Sequence, residues 1–133
     1  MREGADVLMF MSERAKKRTA PRSATILCVD DNPGDLYTME LTLRGAGHSV
    51  TVASHVADAL LLLKAFHFDM LLLDCVPGFT CLTVEAKRTH PDLRIVVCAD
   101  DSRDSRLTCV DAVVQKPLPA VVFLHRIAEL LAA

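Results

Sequence analysis

Tryptophan is absent from this chain of 133 residues, tyrosine occurs once, and aromatic residues amount to only 5%. With 51% apolar residues the interior must therefore be aliphatic, as in an α/β sandwich. No apolar stretch approaches the length needed to span a bilayer. The five cysteines form an odd set without a CxxC pair, which argues against a disulfide scaffold and against a zinc site. Cys28 and Cys98 lie within or at the end of apolar runs, where a thiol behaves as a small hydrophobe. The formal net charge is −2, so the overall balance does not indicate a polyanion-binding surface. The histidines His48, His55, His67, His90 and His125 lack metal-ligand spacing and read as surface or helix-end residues. These exclusions leave a small domain expected in the cytoplasm, whose one core would bury roughly two thirds of the unfolded surface.

Residues 1–23 read as a disordered basic leader. The run Val7-Leu8-Met9-Phe10-Met11 is too short for a signal-peptide core, and Glu3 and Asp6 spoil its flank. Arg14, Lys16, Lys17, Arg18 and Arg22 follow with Pro21 and no apolar periodicity. Met11 is an alternative start, and contact of the basic tail with nucleic acid or anionic lipid is the second reading of this segment.

From residue 24 onward, strands alternate with helices. Residues 25–30 form a continuous β-branched and aliphatic run, expected of a strand buried on both faces. Asn32-Pro33 starts a helix, Leu36, Met39, Leu43 and Ala46 follow at helical spacing, and Gly47 is the expected left-handed cap. Residues 48–53 alternate, with Val50 and Val52 inward, as a half-exposed edge strand does. Ser54 is expected to cap a helix with Val56, Ala59, Leu60, Leu63 and Phe66 on its inner face. Strands over 69–74 and 93–98 flank a weaker helix marked by Phe79, Leu82 and Ala86, which Pro91 ends. The polar stretch between Ala99 and Asp111 has room for one or two helical turns. Ala112–Gln115 gives a fifth strand, and a last helix sets Ala120, Leu124, Ile127 and Leu131 on one face. The pattern is (βα)₅ with a parallel sheet and helices on both sides.

Three of these strands end in charge. TILCV runs into Asp30-Asp31, MLLL into Asp74, and DAVVQ into Lys116-Pro117. In a parallel sheet such ends share one edge, where open α/β folds place their ligand crevice. Carboxylates gathered there make a hard oxygen site suited to Mg²⁺, and a lysine adds a fixed positive charge. A cation and an ammonium facing a carboxylate suit a phosphoryl group. Taken singly, each motif has a plainer explanation. Asp30-Asp31 could be turn and cap chemistry, Asp74 a strand terminator, and Lys116 a surface lysine before a proline-started helix.

ILCVDDN, DMLLLDCVPG and VVQKPL, in this order and at this spacing, resemble the signatures of the receiver domain of two-component response regulators. The resemblance covers residues 24–133. It implies a flavodoxin-like doubly wound fold with strand order 2-1-3-4-5 and a single-domain receiver that is not itself an enzyme. It implies that Asp74 is the phosphoacceptor and Asp31 a direct Mg²⁺ ligand. Asp30 would act directly or through water, the main-chain carbonyl of Val76 would be a further ligand, and Lys116 would contact the phosphoryl oxygens. The implied partners are a sensor histidine kinase or phosphotransfer protein and a downstream protein, with no nucleic-acid domain on this chain.

The chain departs from that pattern in several places. Cys98 stands where receivers carry a Ser or Thr, and a thiol is a weak hydrogen-bond donor. Val113 replaces the aromatic whose rotamer reports the switch. The loop after Asp74 is one residue shorter, and the segment between the fourth and fifth strands is short enough to reduce or remove the fourth helix. Two functions follow: a phosphorylatable receiver that signals through a partner, or a degenerate one that binds protein without phosphorylation, with redox sensitivity through Cys75 and Cys98.

Overall fold

Five short strands, each apolar on at least one face, pair in parallel to form the frame of the molecule. The computed structural model describes residues 23–74, 76–100, 109–116 and 118–133. The leader through residue 22, Cys75, Pro117 and residues 101–108, where the sequence predicts a shortened helix, lie outside the described residues. The strands are β1 (Thr25–Val29), β2 (Ser49–Ala53), β3 (Met70–Asp74), β4 (Arg94–Ala99) and β5 (Ala112–Gln115). They lie in the order β2-β1-β3-β4-β5, so the chain reverses its direction of winding beside β1. The helices among the described residues are α1 (Pro33–Gly45), α2 (Val56–Ala65), α3 (Phe79–Thr89) and α4 (Ala120–Ala132).

The two-residue period of the strands divides the core into two layers. Leu27, Val29, Leu71, Leu73, Ile95 and Val97 pack against Ala59 and Leu63 of α2 and Phe79, Leu82 and Ala86 of α3. Ile26, Cys28, Met70, Leu72, Val96 and Val114 pack on the other side with Leu36 and Leu43 of α1 and Ile127 and Leu131 of α4. The central strands β1, β3 and β4 are thus buried on both faces, which explains why their sequences read as unbroken apolar runs.

Local chemistry fixes the ends of α1. The Asn32 side chain accepts from the Asp35 N–H at 2.9 Å, and Pro33 occupies the first turn, where its missing N–H costs nothing. At the other end Gly47 adopts φ 96°, the His48 N–H reaches the Leu43 carbonyl, and the Gly47 N–H reaches the Arg44 carbonyl. This pair of bonds is a Schellman motif, and it satisfies carbonyls the helix would otherwise leave open. A second clamp ties α3 to the start of β4. Lys87 Nζ donates to both Asp111 oxygens and to the Leu93 carbonyl, while the Asp111 carboxylate accepts the Ile95 N–H.

Four expectations fail, most of them at element ends. His55, not Ser54, precedes α2, and it makes no side-chain cap. Phe66 is 62% exposed rather than inward, because the backbone has turned extended there at φ −135° and left the helical face. Phe68 enters the core instead. Val52 is 36% exposed although it shares a face with Val50, since β2 is the edge strand with a neighbour on one side only. In α4, Ala120 is exposed and Leu124 only partly buried, so Ile127 and Leu131 carry the seal.

His48 is buried, and its Nδ1 accepts the Ala24 N–H at 3.1 Å, which fixes the chain entering β1. An imidazolium cannot accept that bond, and burial holds the group below its ordinary 6.5. The folded state therefore binds fewer protons than the unfolded one over that range. The stability His48 contributes is complete above about pH 6.5 and declines as the pH falls below it. Denaturant midpoints measured at pH 7.5 and pH 5.5 should drop more in the wild type than in His48→Phe.

Candidate functional site at the carboxyl edge

The face that carries Ile26, Cys28, Leu72, Val96 and Val114 also sets the site. Continuing the two-residue period brings Asp30, Asp74, Cys98 and Lys116 to the same side at the carboxyl ends of β1, β3, β4 and β5. Asp74 lies directly opposite Cys98 in register, and Cys98 opposite Val114. Lys116 must therefore reach across the end of β4 to meet β3, and it does. Its Nζ donates to Asp74 Oδ1 at 3.0 Å and Oδ2 at 2.9 Å. The Lys116 N–H is anchored on the Ala99 carbonyl at 2.8 Å, so the side chain departs from a fixed point.

Asp30 is 2% exposed. Its Oδ1 accepts the Asn32 N–H at 2.9 Å, and among the described residues no donor reaches its other oxygen. Burial pushes the carboxyl above its usual range, and the charges of Asp74 and Asp35 add to the rise against the Asn32 bond and Lys116. Burial alone would depress Lys116, yet the hydrogen bond and charge of Asp74, with Asp100 and Asp30, hold its ammonium above its ordinary value. The lysine is charged at neutral pH.

Carboxylate oxygens of Asp30, Asp35 and Asp74 all lie within 4.8 Å of one another. Asp35 comes from the first turn of α1 and is the residue that the sequence reading missed; the only signal for it was the Asn-x-x-Asp spacing, which reads as a helix cap. Asp31 is exposed and is not among these three. The Val76 carbonyl accepts the Phe79 N–H at 3.0 Å, which uses one of its two lone pairs. Val113 sits on the opposite face, packed against the layer under α2 and α3.

A cleft of about 430 Å³ opens over this cluster, with Asp30, Asp35, Asp74 and Lys116 at its polar end. Met39, Val114, Leu118 and Phe123 form an apolar wall, and Cys98 lies in the floor. Burial pushes the neighbouring Cys28 thiol up, so it stays protonated as a small hydrophobe. Three carboxylates against one ammonium, with a buried oxygen lacking a donor, fit a divalent cation with oxygen ligands. Among the described residues no helix is long and apolar enough to cross a membrane.

The same imbalance predicts the behaviour of the metal-free protein. A group whose folded pKa is raised adds stability only at low pH and opposes folding once ionised. Asp30→Asn should therefore raise the metal-free melting temperature at pH 7.5, by roughly 1 kcal/mol or about 4 °C. Calorimetry in chelator checks this.

No protein-family model matches the chain, and no curated protein does. Solved structures do. A response regulator receiver domain protein (CheY-like) from Methanospirillum hungatei JF-1 superposes with a TM-score of 0.76 at 23% identity, covering 83% of this chain and 94% of that one. The response regulator TrrA from Thermotoga maritima, solved in complex with Mg²⁺ and beryllofluoride, gives 0.73 at 22% identity over 80% and 97%. The receiver domain of a signal transduction histidine kinase from Syntrophus aciditrophicus gives 0.74 at 20% identity over 83% and 91%. With five parallel strands in the order 2-1-3-4-5, this chain has the flavodoxin-like fold of the CheY-like receiver domains.

Proposed function

We propose that the chain is a stand-alone receiver that accepts a phosphoryl group on Asp74 from a histidine kinase or phosphotransfer protein and signals through a partner protein. The observation that carries this reading is the two-pronged contact of Lys116 with Asp74 beside two further carboxylates, at the edge where the fold presents ligands. The TrrA structure, similar in fold, holds Mg²⁺ and a beryllofluoride group, which supports the same chemistry here. The intact pair favours this reading over a phosphorylation-independent module.

In the proposed reaction an Asp74 oxygen attacks phosphorus in line with the leaving nitrogen of a phosphohistidine. The O–P bond forms as the P–N bond breaks, and the imidazole, already protonated on its other ring nitrogen, leaves neutral with the bond's electron pair. Phosphoryl transfer gains little from a protein base, so alignment and charge neutralisation carry it. Lys116 already rests on both Asp74 oxygens and can shift to a phosphoryl oxygen without leaving the cleft. Bound Mg²⁺ would neutralise the equatorial oxygens. Asp30 would hold it, and the resemblance adds Asp31 and the Val76 carbonyl. The chain itself turns over no metabolite in this scheme.

Acetyl phosphate with Mg²⁺ should add one phosphoryl group to the wild type and none to Asp74→Asn, read by intact mass. Lys116→Met should slow labelling by about two orders of magnitude. Labelling of Asp74→Asn at the wild-type rate would remove Asp74 from the reaction.

Output is expected to be muted. A ligand shifts an equilibrium only by its differential interaction with the two states. The Cys98 thiol rewards the phosphorylated state with a weak hydrogen bond, and Val113 has no large rotamer change. Adding beryllofluoride and Mg²⁺ should move backbone amide signals around Asp74 and Lys116 and leave Val113 and α4 beyond Phe123 largely unchanged. Shifts spreading through α4 would reveal a full switch.

A further inference from the structure

We infer that the open edge of β2, with the row Tyr37, Leu41 and Arg44 of α1 beside it, is a surface on which a second copy of this chain docks about a two-fold axis. The inference does not depend on the phosphoryl chemistry of the carboxyl edge.

β2 is an outermost strand of the sheet, and its sequence SVTVA carries no charge, proline or glycine. Soluble proteins ordinarily shield such an edge with charge, proline or a bulge, because its unpaired N–H and C=O groups template another strand. Ser49 and Ala53 turn backbone groups toward β1: the Ser49 N–H donates to the Ala24 carbonyl, and the Ala53 carbonyl accepts the Asp30 N–H. Alternation directs those of Val50 and Val52 outward. The Val50 carbonyl accepts Arg44 Nη2 at 2.8 Å, so a side chain stands where the N–H of a further strand would be. The flank of this edge is apolar. Tyr37 is 61% and Leu41 52% exposed on α1, and the half-exposed Val52 projects from the same side of the sheet.

The register selects the occupant. Paired antiparallel about Thr51, β2 and its copy set Val50 opposite Val52 twice, and the two pairs exchange four main-chain hydrogen bonds. The helix row obeys the same axis. Arg44 is level with Val50 through its bond, and α1 runs back antiparallel to the strands. Leu41 therefore lies about 4.5 Å above that level and Thr51 about 3.3 Å above it. An axis through Thr51 brings Leu41 against its own copy and sets Tyr37 beside Arg44 of the second copy. A guanidinium over a tyrosine ring is attractive, and the Glu40 carboxylate already orients it at 3.0 Å. One patch thus complements itself in both its strand and its helix, as an isologous contact requires. Thr38, Met39 and Thr42 line the Asp74 cleft from another flank of α1, so the cleft stays open in the dimer.

A five-residue strand and one helix row fall at the low end of specific interfaces, so a weak dimer is expected, with Kd on the order of 100 μM. Sedimentation velocity on the full chain, from about 5 to about 500 μM, should show conversion from one chain mass to two. Leu41→Glu sets like charges face to face on the axis and should weaken the dimer roughly tenfold or more. Val52→Pro deletes an outward N–H that β1 does not use, a change edge strands tolerate, and should have the same effect. Circular dichroism should show both variants folded, and Leu41→Glu alone suffices if Val52→Pro is not. Arg44→Ala should also weaken association. A wild type that stays monomeric throughout, or a dimer that persists in Leu41→Glu, would overturn the inference. A tighter dimer in Arg44→Ala would show that Arg44 guards the edge, and would overturn the proposed packing.

Discussion

The ammonium of Lys116, held against Asp74 across the end of β4, is the contact on which the carboxyl edge depends. Three carboxylates converge there, one of them buried, and like charges so close oppose folding unless something positive stands among them. The lysine supplies the permanent part of that charge. Its reach from β5 to β3 requires a small residue at the end of the strand between them, and Cys98 fills that place. A Ser or Thr would serve the same geometry and add a strong hydroxyl donor; the thiol keeps the space and weakens the hydrogen bond. The substitution therefore preserves the charge pair while changing what the site can report.

Everything else in the fold serves to bring those residues to one edge on one face. Unbroken apolar strands force burial on both sides of the sheet, and two-residue periodicity then decides which layer each side chain joins. Asp30, Asp74, Cys98 and Lys116 lie an even number of residues beyond Cys28, Leu72, Val96 and Val114, so they emerge above the α1 and α4 layer. Val113 is an odd step from Val114 and joins the other layer. Tight termini at both ends of α1 hold Asp35 and Met39 over the site, and the Lys87–Asp111 clamp fixes the start of β4 from the opposite edge.

Much of this could be read in the sequence because the signals are local and strong. Continuous aliphatic runs marked β1, β3 and β4, and Asn32-Pro33 with Gly47 bracketed α1 to within two residues. The strand order was not in the periodicity at all; it came from the resemblance of the three charged strand ends to receivers. What failed were faces at element ends. Phe66 kept helical spacing from Leu63 but followed a backbone that had already straightened, and Val52 kept strand alternation on an edge with nothing beside it. Asp35 escaped because its spacing matches a cap, and only three-dimensional structure shows that Asp30 takes the N–H that a cap would need.

The central claim is that the carboxylate at the end of β3 takes up a phosphoryl group while its acidic neighbours do not. Borohydride tests it most directly, since hydride reduces an acyl phosphate to an alcohol, releases phosphate and leaves free carboxylates alone. After incubation with a phosphodonor and Mg²⁺, peptide mapping should find homoserine at position 74 and aspartate at positions 30, 31 and 35. Omitting Mg²⁺ should abolish the conversion. Homoserine at position 30 or 35, or none at any position under conditions that label a known receiver, would contradict the account.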